Sequence, residues 1–249
     1  MKDPMIRTDY MPWKYLIIAY AFSWIVWLPA VLSTYGLFEL KIPHTFIIGI
    51  GAFGPLVGAF LMTYRKDKRE GVINLLKKAL YIKSSNIWLL PAFLMLPLMI
   101  GASFFIYMII YGAESMPDMI IISQPWLIIP LFIYSLFALG ALQEEFGWRG
   151  YALEKMQQRF NALISSIILG MFWALWHLPL FFIEGTMQSS IPFYIFFINV
   201  ISISIMYTWL YNNSRSSVLI VLIFHGMHNT AYNIFPISLL EAPQKASLC

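Results

Sequence analysis

Three short segments carry residues whose types and spacing could do chemistry. The first is Gln143-Glu144-Glu145-Phe146-Gly147-Trp148-Arg149-Gly150. On a helix, Glu145 and Arg149 stand at i and i+4 on one face, where they can neutralise each other as an ion pair. Glu144 is rotated about 100° away and lacks that partner, which makes it a candidate general base for water. The second segment runs from Phe172 to Pro179 and holds one polar group, His177, with Trp173 one turn back and able to pack over the imidazole. The third is His225-Gly226-Met227-His228-Asn229. His225 shares a face with Asn229 at i,i+4 and can share one with His228 at i,i+3. Each segment also has a blander use: a solvated helix end, a core histidine bonded to a carbonyl, or interhelical hydrogen bonds worth about 0.6 kcal/mol each. Together they offer a carboxyl base, imidazoles, an amide donor and a neutralising guanidinium, the set needed to hydrolyse an amide bond.

The elements that must position these groups follow from composition. Of 249 residues, 60% are hydrophobic and 11% are charged, against about 25% charged in soluble domains. Mean hydropathy is +0.72. Such a chain cannot coat a water-facing surface, which excludes a soluble enzyme and a disordered protein. The apolar residues form long blocks and do not alternate, which argues against a membrane barrel. The expected fold is therefore all-α: a polytopic bundle of transmembrane helices. About 20 apolar residues cross the hydrocarbon, and seven stretches qualify: roughly 14–35, 45–64, 87–111, 126–146, 161–183, 192–211 and 217–236. An eighth span in a weaker segment is the alternative count. Spans one to three hold almost nothing ionisable, so chemistry is expected in the C-terminal half, where ionisable groups inside spans are costly.

Grouped between those spans, 14 of the 16 Lys and Arg residues fall on one side. The positive-inside rule then places the N-terminus in the cytoplasm, in a cell membrane crossed several times. The net charge of +4 needs no nucleic acid to explain it; the partners expected are membrane lipids and a peptide or protein substrate. Between Lys66 and Lys83, Val72, Leu75, Leu76, Leu80 and Ile82 recur near helical spacing among lysines, as in an amphipathic helix on an anionic leaflet. The single cysteine, Cys249, permits no disulfide framework and no thiolate metal site. Gly54-x-x-x-Gly58 in the second stretch suits close helix packing within the chain.

In order and spacing, Glu144-Glu145-x-x-x-Arg149, the histidine closing Trp173-x-x-x-His177, and His225-x-x-x-Asn229 resemble the three motifs of the CPBP family, the CAAX proteases and bacteriocin-processing enzymes also called Abi. One departure is Trp173, with Phe172 beside it, where an FxxxH-type motif is expected. The resemblance covers roughly 144–229. It divides the chain into N-terminal helices with the amphipathic segment (1–120) and a catalytic core (121–240). It implies an intramembrane endopeptidase in which Glu144 activates water, Glu145 and Arg149 hold the motif together, His177 and His225 position the water or a metal, and Asn229 helps stabilise the oxyanion. Eukaryotic members trim three residues after a prenylated cysteine; bacterial members also serve bacteriocin maturation or self-immunity. No His-Glu-x-x-His is present. Direct activation by Glu144 is therefore the preferred reading, with zinc on His177 and His225 as its alternative. Two other readings stand beside the enzyme: a catalytically silent immunity or scaffold protein, and a transporter using the same groups, for which no internal repeat is visible.

The motifs and the spans conflict in depth. Glu144 falls near the end of the fourth stretch, whereas His177 lies about 15 residues into the fifth, roughly 20 Å along the axis. Convergence requires a broken helix or shifted boundaries, and Gly140, Gly147 and Gly150 are placed to permit a break.

Overall fold

In hydrocarbon a backbone must satisfy its own hydrogen bonds, so long apolar blocks fold as helices. A computed structural model of the chain describes residues 11–37, 39–80, 86–111 and 124–235, and every regular element among them is helical. Lys2, Arg7, Lys83, Lys245 and Cys249 lie outside the described residues. The elements are α1 (Trp13–Thr34), α2 (His44–Gly51), α3 (Gly54–Leu80), α4 (Leu89–Tyr111), α5 (Ile128–Phe137), α6 (Ala141–Gly147), a π-helical turn (Trp148–Leu153), α7 (Ala162–Trp176), α8 (Phe193–Asn213) and α9 (Val218–Ile234).

Among the described residues, five helices, or joined helices, are long and apolar enough to cross a membrane, and six are if the bent pair around α5 and α6 is one span. The expected seven are not reached on length and composition. The last expected span, α9, has only 17 residues, about 25 Å of helix against about 30 Å of hydrocarbon.

α3 does not end with its apolar run at Tyr64. It continues through the lysine-rich segment to Leu80, interrupted at Lys68, whose φ of 52° is left-handed. A helix is thus present where an amphipathic one is expected, joined to the second span across the kink at Lys68. Its Leu75 is buried while Ile73 and Leu76 are exposed. Gly54 and Gly58 pack α3 on α1: a Cβ on Gly54 would stand 2.1 Å from Ser23 Oγ, and one on Gly58 would stand 3.1 Å from the Tyr15 ring.

Local chemistry sets the ends of the helices that carry the motifs. Asn161 caps α7 by accepting a hydrogen bond from the Ile164 amide at 2.9 Å. Pro179 has no amide hydrogen to continue α7, so the helix closes at Trp176 with His177 as its C-cap. Ser217 caps α9 by accepting from the Ile220 amide. The segment between α5 and α6 breaks at Gly140, with φ of 104°, and the two arms bend by 42°. This break resolves the conflict in depth, because α6 restarts deep in the protein with all but one of its residues buried.

Candidate active site

Gly140 makes the break usable as well as sharp. A side chain there would clash with Glu144, since its Cβ would lie 2.3 Å from Glu144 Oε1. The glycine therefore supplies both the left-handed turn and the space into which the carboxylate folds. Glu144 is 5% exposed, and its Oε2 accepts a hydrogen bond from Trp173 Nε1 at 2.5 Å.

Glu145 faces the other way. Its Oε1 accepts from Arg149 Nη1 and from His225 Nδ1, both at 2.8 Å, and neither the Glu145 nor the Arg149 side chain has any exposure. The expected i,i+4 pair is present and a histidine from α9 completes it. The guanidinium of Arg149 lies against two aromatic rings, 4.3 Å from the Trp173 ring centroid and 4.2 Å from that of Tyr207. Each such contact contributes about 0.5–2 kcal/mol to a desolvated cation. This knot ties α6, the π-helical turn, α7, α8 and α9 together.

Both motif histidines have a defined orientation. His177 Nδ1 lies 2.8 Å from the Trp173 carbonyl, an acceptor only, so Nδ1 must carry the hydrogen. His225 Nδ1 faces the Glu145 carboxylate in the same way. In each neutral ring Nε2 then keeps its lone pair. Asn229 donates from Nδ2 to the Leu139 carbonyl at the helix break, so the same amide holds the break that frees Glu144. Its second Nδ2 hydrogen and its Oδ1 are not used by that bond. His228 Nδ1 lies 3.3 Å from the Tyr207 hydroxyl.

Glu144, His177, His225, His228 and Asn229 all line one cavity of about 440 Å³. Ile195, Phe196, Val200 and Ile203 form an apolar wall from α8, and Asn199, Tyr232 and Asn233 add polar groups. Glu145 and Arg149 do not line it; they lie behind it. A carboxylate, two imidazoles with free Nε2 atoms and an amide donor can take a proton from water, position it and bind a developing oxyanion.

A zinc site does not fit this donor set as arranged. Among the described residues no three His, Cys, Asp or Glu side chains converge, whereas catalytic zinc takes three protein ligands. His177 and His225, the ligands of the zinc alternative, gather no third donor among the described residues.

Two site residues do more than the sequence indicates. Trp173 is expected to pack over the His177 imidazole, and its indole N–H in addition holds the Glu144 carboxylate, a bond that phenylalanine cannot make. A buried tryptophan usually finds a partner for that N–H, and a carboxyl in a neighbouring span was the available one. Tyr207 lies outside all three motifs and is one of several hydroxyl-bearing residues of α8, so nothing in the sequence singles it out.

Residues 124–231 match the profile of the type II CAAX prenyl endopeptidases, Rce1-like. The match contains all three motifs. The chain is also 27% identical over 243 residues to CAAX prenyl protease 2 of Methanococcus maripaludis, an alignment covering 92% of this chain and 86% of that protein.

Proposed function

We propose that this chain, a member of the CPBP family of CAAX-protease-like membrane endopeptidases, cleaves its substrates with a water molecule that Glu144 activates. The single observation that carries this reading is the contrast at Glu144-Glu145: one carboxylate lines the cavity, the other is locked behind it.

In the proposed reaction the scissile carbonyl enters the cavity beside Glu144. The Glu144 carboxylate takes a proton from water, and the water oxygen attacks the carbonyl carbon. The water's second hydrogen is donated to one Nε2 lone pair, that of His177 or of His225, which orients it. Asn229 donates its remaining Nδ2 hydrogen to the oxyanion. Glu144 then returns the proton to the departing amine as the C–N bond breaks. Glu145 and Arg149 act through others: they hold His225 in its tautomer and Trp173 against Glu144. The apolar wall favours a substrate segment associated with the membrane. Residues 121–240 form the catalytic core in this reading, and 1–120 the helices that brace it. The protein lies in the cell membrane with its N-terminus on the cytoplasmic side, a reading supported by the lysine- and arginine-rich segments.

Quantitative proteomics of membrane peptides from cells carrying the wild-type chain or Glu144→Gln tests the reading. The expected result is an intact precursor that accumulates only in the variant. Identical peptide profiles, at equal protein levels, would refute it.

A further inference from the structure

A second cleft lies between α3 and the π-helical turn and shares no lining residue with the candidate active site. It has a volume of about 580 Å³, within the range of small-molecule sites. Leu75 of α3 closes its floor against Gly150, where a Cβ would stand 3.1 Å from Leu75 Cδ1. The left-handed residue Lys68 bends α3 beside it.

The charges of the lining are balanced. Lys66, Lys78 and Lys155 face Asp67, Glu70 and Glu154. Lys78 and Glu154 are committed to each other, with Nζ 2.6 Å from both carboxylate oxygens, and Glu154 also accepts from the Tyr211 hydroxyl at 2.7 Å. Among the described residues no ion pair or hydrogen bond engages the exposed side chains of Lys66, Asp67 or Glu70. Lys155 Nζ sits 5.9 Å from the Tyr151 ring centroid. A purely anionic ligand would meet the two carboxylates, and a purely cationic one would meet the ammonium groups. A ligand carrying both signs a few bonds apart satisfies the lining.

Depth in the membrane narrows the choice. The apolar run of α3 ends at Tyr64, and Arg65 opens its charged stretch. Thr63 and Lys66 of the lining straddle that boundary, so the cleft lies at the level of the lipid headgroups. We propose that the cleft binds the headgroup of a zwitterionic phospholipid with a primary ammonium, a phosphatidylethanolamine, its phosphate on Lys66 and its ammonium on Asp67 and Glu70. A primary ammonium donates three hydrogen bonds to carboxylates. A choline group donates none and is recognised by aromatic cages, and the single ring in the lining, Tyr151, already has the Lys155 ammonium near its face.

The test uses the full chain, purified and delipidated in detergent, with phosphatidylethanolamine, phosphatidylcholine and phosphatidylglycerol of identical acyl chains added in turn. Native mass spectrometry reads the bound lipid. The expected result is that phosphatidylethanolamine binds several-fold more tightly than either other lipid. Asp67→Asn combined with Glu70→Gln removes that preference, and Lys66→Gln weakens all three lipids together. Soluble phosphoethanolamine displaces the bound lipid from the wild-type chain and phosphocholine does not, which keeps the proposal testable should a variant fail to fold. Equal binding of the three lipids, tighter binding of phosphatidylglycerol, or a preference that survives the double variant would each overturn it.

Discussion

The segment from Ala141 to Met156 takes part in two carboxylate–cation pairs, one within itself and one with α3, and the two differ in burial. Glu145–Arg149 has an N···O distance of 2.8 Å with both side chains at 0% exposure. Lys78–Glu154 has a shorter distance, 2.6 Å, but its side chains are 31% and 36% exposed. Distance alone would rank the second pair first; burial reverses the order. An exposed pair is screened and worth about 0–1 kcal/mol. A buried pair returns little net stability over apolar replacements, yet losing one partner strands a charge at about 3–5 kcal/mol. The buried pair thus fixes geometry: it aims His225 and stacks Arg149 on Trp173. The exposed pair shapes the edge of a cleft.

Breaking the buried pair has the largest expected effect. Arg149→Met should destabilise the protein by about 3–5 kcal/mol, read as a lower melting temperature in detergent, with cleavage lost. Replacing both partners, Glu145→Leu with Arg149→Met, sharpens the comparison: much of the stability returns because no charge is stranded, but cleavage does not, because His225 has lost its acceptor.

Gly140→Ala comes next. It forces a β-carbon onto a left-handed backbone and against Glu144 Oε1, costing of order 1–3 kcal/mol for the backbone alone; turnover should fall with the melting temperature. Trp173→Phe removes the indole donor to Glu144 and leaves a smaller aromatic ring against Arg149. The expected loss is about 1–3 kcal/mol, read as roughly a ten- to hundredfold drop in kcat with the fold retained. The smallest effect is expected for Lys78→Met, below about 1 kcal/mol in the melting temperature, with cleavage preserved. A Lys78→Met loss as large as that of Arg149→Met would contradict the ranking by burial.

What was legible in the sequence follows the range of each interaction. The Glu145–Arg149 pair was readable because four residues on one helix are neighbours by geometry. The gathering of the three motifs in one cavity was readable only through their resemblance to a family; span depth argued against it. The Gly140 break that reconciles the two was signalled by glycine alone, and its necessity, room for Glu144 Oε1, required coordinates. The bond from Trp173 to Glu144 joins residues 29 apart, and that from His225 to Glu145 joins residues 80 apart; no local period encodes either. The π-helical turn and the extension of α3 through Lys68 escaped for the same reason, since packing against neighbouring helices overrode local pattern. Among the described residues, length and composition support five or six of the seven expected spans, because hydropathy sees apolar residues but not the length at which α9 stops.

The most direct measurement of the central claim, that adjacent carboxylates have separate duties, is single-turnover cleavage by purified, reconstituted Glu144→Gln beside the wild-type chain, with melting temperatures for both. Loss of a general base typically costs about 10²–10⁴ in rate. A loss of that size with an unchanged melting temperature is the predicted result. Wild-type turnover by a folded Glu144→Gln protein would contradict it.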